Sequence, residues 1–257
     1  MASHWVRGAC PKAMEDNEYD RMAEVECDSW WFRARRRILN QAIGRMSLPP
    51  NPRIADIGCG TGGNLPMLSR HGYVTGVEAS PRAATLARDA TGLAVLTASA
   101  EATGLPDEAF QLVTMFDVLE HLEDERPALR EVTRILAPGG HFLFTVPAFM
   151  MLWSGHDEAL HHHRRYRRSQ LRKLIEDAGL SVDWLSYYNT SLFPPVAALR
   201  LARRVFGGGS RSADVGQGEG RLSETLEAIF ASERHVIGRF SLPFGVSLIG
   251  VARVKER

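Results

Sequence analysis

Apolar positions recur at helical spacing from about residue 15 to residue 46, and the proline-rich run "LPPNPR" at 48–53 ends that helix. Beyond it the period changes. Short apolar runs predict strands at Arg53 to Ile57, Tyr73 to Val77, Ala94 to Thr97, Phe110 to Met115 and His141 to Val146, separated by helices near 64–70, 81–89 and 124–136. Such alternation predicts a parallel α/β sheet. The punctuation agrees: Ser80 before Pro81 reads as a helix cap followed by proline at the first helical position, and "LAPGG" at 136–140 closes a helix before the next strand. After Pro147 the pattern breaks into "WSGHDEALHHHRRYRR", and Ser169 is expected to cap a helix running to Gly179. "LSVDWLSYY" and "VSLIGVARV" read as two late strands, with a proline-rich helical segment near 192–206 and a helix near 222–238 between them. Residues 207–220, "GGGSRSADVGQGEG", have no apolar period and predict a mobile linker.

A chain of 257 residues that is 44% hydrophobic can bury one large core. The net charge of +1 and the shortness of the basic runs argue against nucleic acid as a partner. Cys10, Cys27 and Cys59 show neither disulfide nor zinc-ligand spacing, which fits a reducing cytoplasm. No run approaches the ~20 apolar residues of a membrane span, and no leader pattern opens the chain, so a soluble cytoplasmic protein with at most peripheral membrane contact is expected.

The chemistry concentrates in "IADIGCGTGGNLPML" at 54–68. A strand carrying Asp56 and followed by Gly58, Gly60 and Gly62 before a helix brings backbone N–H groups close to a ligand over the sheet edge. Asp56 can anchor that loop or accept a hydrogen bond from a ligand ammonium, and Glu78, ending the next strand, is placed to take both hydroxyls of a ribose. Taken alone, the same glycines also suit an unliganded turn or an NAD-binding domain.

From these residues onward the chain resembles the class I S-adenosylmethionine-dependent methyltransferases. "ADIGCGTG" matches their first motif, "GVEAS" the ribose-binding motif, "ASAEATGLPDEAF" the adenine-side loop, and "FQLVTMFDVLEHLED" and "LREVTRILAPGGHFLFTVP" the fourth and fifth strands with the helix between. The resemblance implies S-adenosyl-L-methionine as cofactor, with Asp56, Gly58, Gly60 and Gly62 along its methionine part, Glu78 and Ala79 at the ribose, Ala100 and Glu101 at the adenine, and Asp117 as the wall past strand four. Ser99 and Gln111 stand where the family often has Asp. The implied fold is a seven-stranded Rossmann-like sheet with an antiparallel last strand, helices on both faces and helical cap elements. It divides the chain into an N-terminal helical cap (1–52), the cofactor-binding core (53–190), a helical insertion (191–245) and the last core strand (246–257).

Within the family, "WWFRARR" at 30–36 and "HDEALHHHRRY" at 156–166 resemble a bacterial group with an arginine-bearing aromatic N-terminal helix and a His-x-Arg-Arg-Tyr segment. On that match Trp31 and Arg35 reach the cofactor, with Phe32 beside them, while Asp157, His162, Arg164, Arg165 and Tyr166 form the segment. Core packing explains Trp31 and Phe32 equally well. A sulfonium methyl is already electrophilic, so the residues sought are those that align and deprotonate the acceptor. His121, beyond strand four, is the first candidate, with His162 and Tyr166 next; each also has an ordinary structural explanation. The consecutive histidines lack an acidic partner motif of metal-ligand type, and no metal site is expected. Arginines at 33–37, 164–168 and 200–204 suggest an anionic acceptor, and the apolar 192–206 segment a cover or a contact to a lipid-linked one. The expected reaction is methyl transfer to a small molecule, on oxygen in preference to nitrogen or carbon. A non-catalytic cofactor-binding partner protein is the alternative.

Overall fold

The computed structural model describes residues 23, 26, 29–198 and 221–254. Helix α1 (Trp30–Ile43) begins at Ser29, whose hydroxyl accepts from the Trp31 N–H, and buries one stripe that includes Trp30, Ala34, Ile38 and Leu39. The part of the expected 15–46 helix that precedes Ser29 lies almost entirely outside the described residues, and the helix ends at Ile43.

Seven strands follow: β1 (Arg53–Ile57), β2 (Tyr73–Glu78), β3 (Ala94–Thr97), β4 (Phe110–Phe116), β5 (Leu136–Pro147), β6 (Leu180–Tyr188) and β7 (Ser247–Val254). They form one sheet in the order β3-β2-β1-β4-β5-β7-β6. The pairs from β3 to β5 are parallel, and β7 runs antiparallel between β5 and β6, with His141 opposite Arg253 and Leu180 opposite Val254. This is the predicted Rossmann-like sheet with its antiparallel last strand.

Because successive side chains of a strand point to opposite faces, each central strand feeds two cores. Ala55, Ile57, Val113, Phe142 and Phe144 pack with Leu129, Val132, Leu171 and Ile175 of helices α4 (Arg126–Ile135) and α6 (Arg168–Asp177). Ile54, Leu112, Leu143 and Ile249 pack on the other face with α1 and with Phe230 of α7 (Arg221–Ser232). Between these lie α2 (Leu65–Leu68), α3 (Pro81–Thr91) and the short α5 (Gly155–Ala159).

Several elements differ from expectation. Ser169, expected as a cap, lies inside α6, whose cap is Arg167. β5 starts at Leu136 rather than His141: Leu136 already pairs with Phe110, the register then shifts, and Gly139 at φ +73° supplies the bend before His141 resumes opposite Leu112. The helix expected near 64–70 shrinks to α2, since Asn64 gives no side-chain cap. The helix expected near 222–238 ends at Ser232 and continues as a 3-10 turn over Glu233–His235. The insertion docks onto α1, through Glu227 bridging Arg33 (2.6 Å) and Arg37 (2.9 Å) and Phe230 stacked on Trp31 at 6.2 Å. Of the proline-rich segment, 193–198 is helical; its remainder and the expected linker 207–220 lie outside the described residues. Among the described residues no helix is long and apolar enough to cross a membrane.

Gly250, in the middle of β7, is a packing test. A Cβ there would lie 2.4 Å from Phe144 Cζ and 2.9 Å from Leu185 Cδ1. Gly250→Val is expected to destabilise by about 1–3 kcal/mol, read as a fall of roughly 2–12 °C in Tm by thermal unfolding.

Candidate active site

The glycine loop leaves β1 with Gly58, Gly60 and Gly62 all at positive φ (71°, 56° and 91°). The Gly58 and Cys59 N–H groups donate to Val77 O, which docks the loop on β2. A Cβ at Gly58 would strike Val118 at 2.5 Å, whereas one at Gly60 would enter open space, so Gly60 serves conformation and close ligand approach. Glu78 grips the loop with both oxygens: Oε2 accepts from Gly60 N–H at 2.9 Å and Oε1 from Ser80 N–H at 2.8 Å. Each oxygen keeps a second lone pair for a ribose hydroxyl.

Asp56 is buried, its Oδ1 accepting from Thr114 Oγ1 at 2.5 Å while Oδ2 has no partner among the described residues. Burial pushes its pKa up to about 7, with Glu26 and Glu78 adding repulsion against the relief given by Thr114 and Arg35. An open acceptor atom on a buried acid between two further carboxylates fits a ligand ammonium, and the loop, Glu78 and Asp56 together fit the predicted cofactor. Glu26, whose Oε2 accepts from Thr61 Oγ1 at 2.6 Å, closes the loop from its outer side and was not anticipated from sequence.

Arg35 is buried and meets Asp117 Oδ2 at 2.7 Å and Thr145 Oγ1 at 2.8 Å, with its guanidinium over the Trp31 ring at 5.2 Å and Phe116 at 5.7 Å. Asp117 has φ +58°, a conformation rare outside glycine, and its other oxygen accepts from Thr145 Oγ1 at 3.0 Å. Arg35 and Trp31 thus shape the site by holding Asp117, and Phe32 lies edge-on to Trp31 at 4.9 Å. Of the residues expected at the ribose and adenine, Ala79 and Glu101 are exposed and Ala100 half-buried. The loop they border is braced by Glu131, which accepts from Thr103 N–H and Oγ1 (2.9 and 2.5 Å) and from Arg134.

Beyond β4, a 3-10 turn over Leu119–His121 brings His121 against His162, with rings edge-to-face at 4.6 Å. Burial, reinforced by His162, lowers the His121 pKa to about 4, and its ring also contacts the Leu160 backbone. His162 Nδ1 sits 3.0 Å from Asp157 Oδ1, and Arg165 Nε donates to the same oxygen at 2.7 Å. Burial raises the Asp157 pKa but His162 and Arg165 outweigh it, holding the carboxyl well below its usual range. Tyr166 is 4% exposed and its hydroxyl donates to Glu125 at 2.8 Å, so it is turned away from an acceptor and into a brace. Arg164 likewise pairs with Glu125 at 2.8 Å. Five of the arginines read as an anion face are paired with carboxylates of the protein itself, Arg33 and Arg37 on Glu227, Arg35 on Asp117, Arg164 on Glu125 and Arg165 on Asp157, of which only Arg35 and Arg165 are buried; those at 200–204 lie outside the described residues. A cleft bordered by Arg45, His141, Asp183 and Arg253 opens at the opposite, amino-terminal edge of the parallel strands.

The comparisons agree with this geometry. Residues 55–144 match a family model described as a methyltransferase domain. A malonyl-[acyl-carrier protein] O-methyltransferase of Geobacter sulfurreducens is 30% identical over 249 residues, covering 88% of this chain and 90% of that protein. The chain belongs to the class I S-adenosylmethionine-dependent methyltransferases. It is a methyl-transferring enzyme whose cofactor is S-adenosyl-L-methionine. An uncharacterized protein of Methanocaldococcus jannaschii is 28% identical over 177 residues, 66% of this chain and 68% of that one. Two other curated relatives match over about a third (32%) of their own length. In fold, the methyltransferase solved in complex with the Haloferax volcanii Trm112 methyltransferase activator superposes with a TM-score of 0.61 at 20% identity, covering 94% of this chain and 98% of that one.

Two predictions follow from the cradle. Glu78→Ala removes a charged acceptor from both the loop and the ribose, and calorimetry should show cofactor affinity weakened roughly tenfold to hundredfold. Asp56, raised from 3.8 to about 7, contributes stability that is full below pH 4 and lost as pH rises through 7. An ammonium ligand reverses this preference, so cofactor binding near pH 6.5 should release protons. The binding enthalpy should differ between phosphate and Tris buffers, and Asp56→Asn should abolish the difference.

Proposed function

We propose that this enzyme methylates an oxygen atom of a small-molecule acceptor lying over the His121–His162 pair. The observation that carries the reading is the pair itself: two imidazoles with ring centroids 4.6 Å apart, just past the carboxyl end of β4 and next to Asp117. The cofactor, when bound, supplies a methyl group made electrophilic by its sulfonium. Asp56 and Glu78 hold its ammonium and ribose, and the glycine loop lets it approach the backbone. Asp117, fixed by Arg35 and Thr145, walls the space between cofactor and imidazoles. His121, neutral at physiological pH, accepts a hydrogen bond from the acceptor hydroxyl, orients its oxygen for in-line attack and takes its proton as the new C–O bond forms and the methyl–sulfur bond breaks. His162 is fixed by Asp157 through its Nδ1, leaving Nε2 for the acceptor. The O-methyltransferase name of the Geobacter relative supports oxygen as the nucleophile.

Release of S-adenosylhomocysteine across a panel of hydroxylated, carboxylated, amino and lipid-linked acceptors, with mass spectrometry of the product, tests the assignment. With the acceptor found, His121→Ala should lower kcat by about 10² to 10⁴ while cofactor affinity stays near parental. Tyr166→Phe should instead lower Tm, losing about 1–3 kcal/mol of stability with its hydrogen bond to the Glu125 carboxylate, and leave kcat within about twofold. Methyl transfer to nitrogen or carbon alone, or parental kcat in His121→Ala, defeats the reading.

A further inference from the structure

Glu120 is a buried acid, 0% exposed, and neither carboxylate oxygen has a hydrogen-bond partner among the described residues. Such a group is rare in a native core, because an ionised carboxylate without donors loses its hydration and gains nothing. Its own backbone N–H, Asp117, Arg35 and Arg165 all act on its charge. A proton alone does not resolve it, since the hydroxyl so formed would itself need an acceptor. Tyr166 acts on Glu120 as well, and His121 and His162 face it: one donor atom from each of the three residues lies within 4.8 Å of the others.

We infer that Glu120, His121 and His162 form a binding site for a divalent transition-metal cation. Two imidazoles and one carboxylate are a zinc-type donor set that leaves a coordination position open. The outer contacts of both imidazoles are those of metal ligands, which tie one ring nitrogen to a carboxylate or carbonyl and present the other. His162 Nδ1 is held by Asp157 at 3.0 Å, and the His121 ring by the Leu160 backbone. The two segments are also fastened by main chain, His163 N–H donating to Glu120 O at 2.8 Å. A tetrahedral ion would set its donors about 3.4 Å apart, so the loop need only close slightly. His161 and His163 are exposed and stand outside the set. The expectation of no metal site overlooked Glu120 because its partner across space lies forty-two residues away at His162.

The catalytic consequence rests on the proposed acceptor position. An acceptor hydroxyl entering the open position would give up its proton to solvent. The new C–O bond then forms as the methyl–sulfur bond breaks, the sulfonium becoming a thioether and the metal keeping its charge. His121 then acts as ligand rather than as hydrogen-bond acceptor.

The test needs no acceptor. Chelator-treated full-length protein is titrated with Co²⁺ and Zn²⁺. One Co²⁺ per chain should give visible d–d absorption that Zn²⁺ abolishes, and Zn²⁺ should raise Tm. Glu120→Gln and His121→Gln, checked for folding by circular dichroism, should weaken Zn²⁺ binding more than about a hundredfold, beyond the loss typical of an outer contact. The double variant His161→Ala/His163→Ala should bind like the parent. Absence of cobalt bands in the parent, equal Zn²⁺ affinity in Glu120→Gln, or loss of binding in the double variant overturns the site, the last two assigning the ion to the exposed histidine run. The two readings fail separately. No metal binding with a kcat loss in His121→Ala leaves the acceptor position standing, while metal binding with parental kcat in that variant removes the acceptor and keeps the metal site.

Discussion

The Arg35 guanidinium, buried between α1 and the carboxyl ends of β4 and β5, is the contact on which the site depends. Burial works against its charge, and Asp117, Tyr188 and Glu120 together outweigh that opposition. Its bonds to Asp117 and Thr145 reach two neighbouring strands from a helix more than seventy residues upstream. They also hold Asp117 in a left-handed conformation that the chain would otherwise leave, and the turn bearing Glu120 and His121 starts just beyond it. The N-terminal helix is therefore part of the site's wall, and α7 supports it in turn through Glu227 and Phe230.

How much was legible in the sequence follows from the range of each interaction. β1, β3 and β6 lie at the residues their apolar runs mark, since a strand's period is a local property. Asp56, Glu78 and the glycines were readable for the same reason: the strand-end geometry that makes a nucleoside cradle is written in consecutive residues. β5 was read short because its first pairing, Leu136 with Phe110, depends on a neighbouring strand and not on its own pattern. The roles of Glu26, Glu125, Glu131 and Glu120 were hidden altogether. Each acid acts on a residue far along the chain or on none, and a lone Glu in a helix or turn looks like solvated surface until its burial is seen.

The arginines show the same limit from the opposite side. Counted along the chain, they resemble an anion-binding face. In space Arg33, Arg35, Arg37, Arg164 and Arg165 each meet an internal carboxylate, and Arg164 also caps the carbonyls of Leu122 and Glu123. Exposed pairs of this kind add little stability, but pairs such as Arg165 with Asp157, at 3% and 0% exposure, fix geometry because removing either partner strands a buried charge. Their work is positional: Asp157 sets the ring of His162, and Arg165 sets Asp157.

Cofactor side and acceptor side are built by different physics. On the cofactor side the loop is held by side chains, Glu78 accepting from Gly60 and Ser80 N–H and Glu26 from Thr61, while Asp56 meets Thr114 of β4. The segment after β5 is fastened by main chain, Tyr166 N–H to Pro147 O, Phe149 N–H to Tyr166 O, Ala148 N–H to Val246 O and His163 N–H to Glu120 O, each between 2.8 and 2.9 Å, as well as by Arg164 and Tyr166 on Glu125 and Arg165 on Asp157. Backbone bonds do not depend on which side chain a residue carries. Residues facing the acceptor can therefore be replaced while the segment keeps its path, provided the buried Asp157–Arg165 pair persists. A fold arranged this way keeps one methyl donor and leaves the acceptor to a few side chains, which on the proposed reading are Glu120, His121 and His162.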